Sequence, residues 1–181
     1  MSSNNIIAFA SLTAEQKLKV IEEIKYIFYV SSSVQQFNSE DHKQLFFEKW
    51  CGDYITFYSD EFFLYLDQSN KLLGYISGCH NSQEAIGKLR VPAFTLFSDL
   101  FQNFPAHLHI NFHPDARGKG LGSILVNHYE SYLNTQNIKG LHLITSPDAK
   151  NVSFYERLNF NQTFIRESNG HPLLFMGKYL P

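Results

Sequence analysis

The run Pro114-Asp-Ala-Arg-Gly-Lys-Gly-Leu-Gly122 restricts this chain more than any other feature. It follows His107-Leu-His-Ile-Asn-Phe112, which alternates with period two, and precedes Ile124, Leu125, His128, Tyr129 and Tyr132 at helical spacing. The pattern predicts a strand, a glycine-rich turn and a helix in direct succession. Such a turn presents unpaired N–H groups at the positive end of the helix dipole, an anion site suited to phosphate or pyrophosphate, and its glycines let the backbone approach the ligand. Two nucleotide motifs do not fit. Gly118-Lys-Gly120-Leu-Gly122 is GxGxG rather than GxGxxG, with no acidic residue about 20 positions on at a strand end; Lys119 is followed by Gly120 where a P-loop needs Ser or Thr. What remains is Arg-x-x-Gly-x-Gly from Arg117 to Gly122.

Around this unit no repeat, low-complexity tract or long linker interrupts the chain, and 181 residues suit a single domain spanning 1–181. Thr13 and Gln16 form a candidate capping box, and Leu18, Ile21, Ile24, Ile27 and Phe28 predict a buried stripe on a helix from about 13 to 30. Ser39 opens a shorter helix through Trp50. Tyr54–Tyr58 and Phe62–Leu66 then read as aromatic and β-branched strands. Asp67–Asn70 supplies turn chemistry, Leu72–Gly78 returns as a hairpin strand, and Pro92 stands at a first helical position. The strand at 107–112 places His107, His109 and Asn111 on a polar face and Leu108, Ile110 and Phe112 on a buried one. Gly140 closes the exit of the next helix. A strand over 141–145, a helix over 151–158, a strand over 160–165 and a last strand over 173–179 follow, the final pair joined by a turn at Gly170-His-Pro172. This order predicts an α/β fold: a central mixed, mostly antiparallel twisted sheet with helices on both faces.

Fifteen Lys plus Arg against 17 Asp plus Glu leave a charge of −2, so no general field draws the chain to nucleic acid or an acidic membrane. Cys51 and Cys79 are too few for a disulfide framework, and the N-terminal ten residues carry no basic leader. A cytosolic protein is expected, with nuclear entry open. The triplets at Asn151 and Asn161 match glycosylation acceptors but carry no meaning without secretion.

The loop resembles the signature of the GNAT superfamily of acetyl-CoA-dependent N-acetyltransferases, [RQ]-x-x-G-x-[GA] between a strand and a helix. Asn151-Val-Ser-Phe-Tyr155-Glu-Arg-Leu-Asn-Phe160 resembles that family's second signature, with Asn159 where Gly is usual. The likeness covers roughly residues 104–180. It implies acetyl-CoA as cosubstrate, with Arg117, Gly118, Lys119, Gly120, Leu121, Gly122 and Ser123 cradling the pyrophosphate. Asn151 and Phe154 fall at the cofactor, the backbone N–H of Phe112 faces the thioester carbonyl, and Tyr155 is the general acid. A narrower likeness runs through Pro105-Ala-His-Leu-His-Ile110, Gly140-Leu-His-Leu143 and Phe175-Met-Gly-Lys-Tyr-Leu180. These look like acetyltransferase-like domains related to hexosaminidases that remove N-acetylglucosamine, and imply an amino sugar or a protein amine as acceptor.

Amide formation needs a neutral amine, and a lysine-like ammonium with a pKa near 10.4 is about one part in a thousand neutral at pH 7.4. A base near neutrality relieves this, and His109 or His107 on the strand is the candidate, with Glu84 a weaker one. A bulge in the strand would decide which histidine faces the cleft. His107-x-His109 with His113 and His80 lacks a placed Cys or carboxylate partner, so no metal is expected. Trp50, Tyr54, Tyr58 and Tyr75 read equally as core or as acceptor-pocket wall. The expected enzyme moves acetyl from acetyl-CoA to a primary amine of a small molecule or peptide by direct attack; a non-catalytic acetyl-CoA or amino-sugar sensor is the alternative. The Leu- and Phe-rich last strand suits pairing in a homodimer.

Overall fold

A computed structural model describes residues 5–181; the first four residues of the stretch read for a leader lie outside it. The elements are β1 (Asn5–Ala8), α1 (Ala14–Ser31), α2 (Glu40–Phe47), α3 (Asp53–Phe57), β2 (Phe62–Leu66), β3 (Leu72–Cys79), α4 (Ser82–Ala85), α5 (Pro92–Leu96), β4 (Ala106–Phe112), α6 (Leu121–Thr135), β5 (Gly140–Thr145), α7 (Val152–Glu156), β6 (Gln162–Ser168) and β7 (His171–Tyr179). One seven-stranded sheet runs β1-β2-β3-β4-β5-β7-β6. The pairs β1–β2, β2–β3, β5–β7 and β6–β7 are antiparallel and β4–β5 is parallel, the mixed, mostly antiparallel sheet expected. The short β1 was not foreseen. Among the described residues no helix is long and apolar enough to cross a membrane.

The chain divides into two compact units: the chain up to Gly78 with His109–Tyr129, and Cys79–Leu108 with Glu130–Pro181. In the first, Thr13 Oγ1 accepts from the Gln16 amide while Gln16 Oε1 accepts from the Thr13 amide, the capping box that starts α1. Its buried stripe is Val20, Ile24, Ile27 and Phe28, and Leu18 is 75% exposed, contrary to the stripe predicted. Leu18 precedes Val20 by two residues, roughly 200° around the helix, so the two cannot share a face.

Ser39 Oγ accepts from the His42 amide and starts α2. The helix does not end near Trp50. A π turn over Glu48–Gly52 carries it into α3, so Tyr54–Phe57 is helical rather than the predicted strand and Tyr58 caps that helix. Tyr54 and Tyr58 bury their rings in the first unit's core, and that burial outweighs the local preference of aromatic residues for extended backbone. Phe62 and Tyr75 stack with centroids 5.0 Å apart across the β2–β3 hairpin.

In the second unit Phe104 and Phe160 are buried, and the consecutive Leu174, Phe175 and Met176 of β7 are buried on both faces of the strand. Gly140 does not close α6. Asn137, at φ 59°, ends it, with the Ile138 amide donating to Leu133 O at 3.1 Å. Gly140 instead opens β5, where an added Cβ would stand 2.0 Å from the Asn103 carbonyl oxygen. The β6–β7 turn is Asn169-Gly170, both at positive φ, with Ser168 opposite His171. This two-residue hairpin draws His171 and Pro172 into the strand rather than the turn. Asn159 adopts the left-handed conformation expected of it, φ 66°.

Candidate active site

In the first unit the last residues of β4 run into a short 3₁₀ turn, Pro114–Ala116, then the glycine-rich loop, then α6. Gly118 and Gly120 have φ of +71° and +76°, the left-handed region that glycine enters without penalty. A Cβ built on either would meet nothing within 4 Å, so the backbone there faces open space at the head of a 15-residue helix. This bare, positively directed backbone fits a pyrophosphate, and Lys119 stands exposed between the two glycines.

The Arg117 side chain bonds back to the strand before the loop and to the first helix. Its Nε donates to the Phe112 carbonyl at 3.0 Å and its Nη2 to Ser31 Oγ at 2.9 Å, tying the loop to the end of β4 and the end of α1. The β4–β5 parallel register comprises Ala106–Leu141 and His107–His142. The backbone donors nearer Phe112 are thus not committed to β5, which suits the role expected of the Phe112 amide.

Beside this loop, within the same unit, is a cavity of about 360 Å³ lined by Phe28, Ser31, Ser32, Ser33, Val34, Phe46, Trp50, His109 and Asn111. Its size is that of an ordinary small-molecule site. Phe28, Phe46, Trp50 and His109 form a continuous aromatic wall, with successive centroids 5.5, 6.5 and 6.5 Å apart. The π turn places Trp50 on this wall while the helix on either side keeps Phe47 and Tyr54 buried. Trp50 is therefore wall, whereas Tyr54, Tyr58 and Tyr75 are core.

The two candidate bases separate. His109 lines the cavity, its Nε2 3.1 Å from the Tyr54 hydroxyl, and burial pushes its pKa down to about 4. It is neutral at any physiological pH. His107 is 1% exposed and enclosed in the second unit, its Nδ1 2.7 Å from Ser82 Oγ and its ring 4.4 Å from that of Phe94. The uniformly polar strand face that the alternation predicts is thus not formed: His107 is core, and only its neighbours His109 and Asn111 reach the cavity. Asn111 Nδ2 donates to the Tyr75 hydroxyl at 3.0 Å, which leaves its Oδ1 to accept from a ligand.

The Ser31-Ser-Ser33 lining was missed in the sequence. Three serines after an amphipathic helix read as a plain loop, and only the arrival of β4 beside them makes a wall. Glu84 sits exposed at the start of α4.

In the second unit Asn151 accepts from Thr145 Oγ1 at 3.4 Å and its carbonyl receives the Phe154 and Tyr155 amides, starting α7. Tyr155 is 3% exposed, edge-on to Phe154 and Phe160 at 5.0 and 5.5 Å. Burial raises its phenol above its ordinary value, so it stays protonated and able to donate.

A mixed sheet whose central strand delivers a glycine-rich loop to a helix N-terminus, next to a small-molecule-sized cavity, is the arrangement of an acyltransferase, and the family match agrees. The chain belongs to the acetyltransferase (GNAT) family, whose profile matches residues 21–160. Members of that family use acetyl-CoA as cosubstrate. The fold is shared with the crystal structure of SsHAT (TM-score 0.72, 18% identity, 99% of each chain). It is shared too with the ribosomal-protein-S18-alanine N-acetyltransferase of Escherichia coli (0.56, 17%, 98% of this chain and 94% of that one). A phosphinothricin acetyltransferase of Sinorhizobium meliloti in complex with acetyl-CoA matches as well (0.55, 15%, 98% and 89%).

Proposed function

We propose that the protein transfers acetyl from acetyl-CoA to a primary amine seated in the 360 Å³ cavity, by direct attack with no covalent enzyme intermediate. One observation carries the reading: His109 opens on that cavity from the same strand that, three residues later, reaches Phe112 and then the Arg117–Ser123 loop. Acetyl-CoA supplies an acetyl group already activated as a thioester. The loop amides, with Lys119, hold its pyrophosphate, and the Phe112 N–H polarises the thioester carbonyl, a donor that no side-chain substitution removes.

His109, held neutral, accepts the proton that the attacking amine sheds, directly or through a water. Tyr155 gives its phenolic proton to the sulfur as the C–S bond breaks, and Asn151 and Phe154 contact the cosubstrate. These roles in α7 rest on the family resemblance of Asn151–Phe160. The narrower likeness to hexosaminidase-related domains supports an amino sugar or a protein amine as the acceptor class.

The reading is tested by calorimetry with acetyl-CoA followed by thiol release against a panel of amines. Binding with turnover is expected. Tyr155→Phe should lower kcat by about 10²-fold with little change in melting temperature. Acetyl-CoA binding with no acetylation across the whole panel would replace the enzyme by the sensor.

A further inference from the structure

An uncharged primary amine has two N–H bonds and one lone pair. When the lone pair is aimed at a thioester carbon, both N–H bonds are turned into the surrounding wall and each needs an acceptor. His109, held neutral, accepts through one ring nitrogen only, so a second acceptor is required beside it.

Asn111 stands in that place. It lines the same cavity as His109 from the same face of β4, two residues and roughly 7 Å further along the strand. The peptide that joins it to Phe112 also carries the Phe112 N–H. The His113 amide donates to Leu73 O of β3 at 2.8 Å, so the alternation of backbone donors along an extended strand turns the Phe112 N–H away from β3. A carbonyl oxygen held on that N–H lies one peptide unit from the Asn111 side chain, and a nitrogen about 3 Å from the carbonyl carbon falls within the reach of its amide.

Tyr75 decides which end of that amide meets the ligand. Asn111 Nδ2 donates to the Tyr75 hydroxyl at 3.0 Å, and Cys51 Sγ lies 3.6 Å from the same oxygen. The Tyr75 ring is buried and stacked on Phe62, which fixes the hydroxyl in place. Burial raises the phenol and pushes the Cys51 thiol up to about 12, so this anchor stays uncharged at any working pH. Cys51 belongs to the π turn that also brings Trp50 to the cavity, so one local irregularity supplies both a wall and the footing of the amide. With Nδ2 committed to Tyr75, Oδ1 is the end left for the ligand.

On the transfer reading above, we propose that Asn111 is a catalytic residue whose Oδ1 accepts one N–H of the acceptor amine and sets its lone pair towards the thioester, with Tyr75 as the positioning residue that keeps Oδ1 facing the cavity. As the lone pair forms the C–N bond, the carbonyl π pair moves onto the oxygen at the Phe112 N–H and the nitrogen becomes positive. The bond to Oδ1 is then charge-assisted and stronger than in the bound ground state, so its contribution falls on kcat rather than on binding. The other N–H gives its proton to His109. The C–S electron pair leaves with the sulfur, which takes the Tyr155 proton, and Asn111 ends as it began.

Thiol release is followed on the whole protein at saturating acetyl-CoA with glucosamine, spermidine and a lysine peptide, and acetyl-CoA binding is read separately by calorimetry. Asn111→Leu, similar in shape but without an acceptor, should lower kcat about 10- to 100-fold on every amine that the wild type uses, with the Kd of acetyl-CoA changed by less than about twofold. Asn111→Asp keeps an acceptor and sets a charge beside the nitrogen. It should retain more activity than Asn111→Leu and move the ascending limb of kcat against pH upward by about one unit, because a carboxylate at hydrogen-bond distance stabilises the bound ammonium. Tyr75→Phe frees the amide to turn and should cost about tenfold in kcat, yet less than about threefold in the Asn111→Asp background, where both oxygens accept alike. An equal cost in the two backgrounds overturns the positioning role of Tyr75. Wild-type kcat in Asn111→Leu, or an unmoved limb in Asn111→Asp, overturns the assignment of Asn111 and leaves acetyl transfer standing; the aspartate variant carries the test should the leucine variant not fold. Acetyl-CoA binding without turnover of any of the three amines overturns the transfer reading, and this assignment with it.

Discussion

Replacing His109 with glutamine should make the protein markedly less sensitive to acid. Unfolded, an imidazole titrates near 6.5; folded, burial holds His109 at about 4. Between those values the folded state binds fewer protons than the unfolded chain, so the neutral histidine's contribution is complete above about pH 6.5 and is lost as pH falls towards 4. At ~1.36 kcal/mol per pH unit the whole contribution is about 3.4 kcal/mol, of which about 2 kcal/mol disappears between pH 7 and pH 5. In the His109→Gln variant the side-chain amide would keep a polar partner for the Tyr54 hydroxyl without titrating. Urea unfolding of both proteins at pH 7, 6 and 5 measures the difference, and every other histidine cancels in it. Wild type should lose about 2 kcal/mol relative to the variant over that span. The C–H resonance of the His109 ring should stay unmoved until about pH 4. Equal slopes for the two proteins, or a resonance titrating near 6.5, would refute the reasoning. The same neutrality means that the pH profile of kcat/KM above pH 6 follows the ionisation of the acceptor amine and not of His109.

Gly140→Ala would drive a Cβ into the Asn103 backbone, which cannot swing aside as a side chain would. It should cost more than about 3 kcal/mol and lower the melting temperature by several degrees, read by calorimetric scanning. Gly120→Ala meets no atom but forces a left-handed alanine, so it should cost only about 1 kcal/mol of stability while weakening acetyl-CoA binding, read by isothermal titration. Arg117→Ala removes an exposed bridge worth about 1 kcal/mol. It should raise the acceptor's KM more than it lowers kcat, because Ser31 loses the bond that orients its hydroxyl.

What the sequence revealed was whatever is fixed by neighbours along the chain. Thr13 with Gln16 and Ser39 announced their helices because a cap needs only the next three residues. The Arg117 loop was legible because two left-handed positions two residues apart favour glycine. Tyr54–Tyr58 was misread because its aromatic content suits a strand, and the deciding fact is the burial of Tyr54, which depends on β2 and β3. The Asn169-Gly170 turn carried a strong local signal, displaced in the reading by the neighbouring Pro172. The cavity was hidden for a different reason: Ser31, Trp50 and His109 come from three separate elements, and no spacing within any one of them encodes their meeting.

The π turn at Glu48–Gly52 has a bearing on how this pocket is inherited. Such a turn holds one residue more than a regular helix, so losing a single codon there would restore ordinary geometry and turn the preceding helix by roughly 100° relative to α3. With Tyr54 anchored in the core, that rotation would swing Trp50 off the cavity wall without altering any residue that survives. A single deletion there would therefore remake one wall of the cavity while leaving the glycine loop's own sequence unchanged.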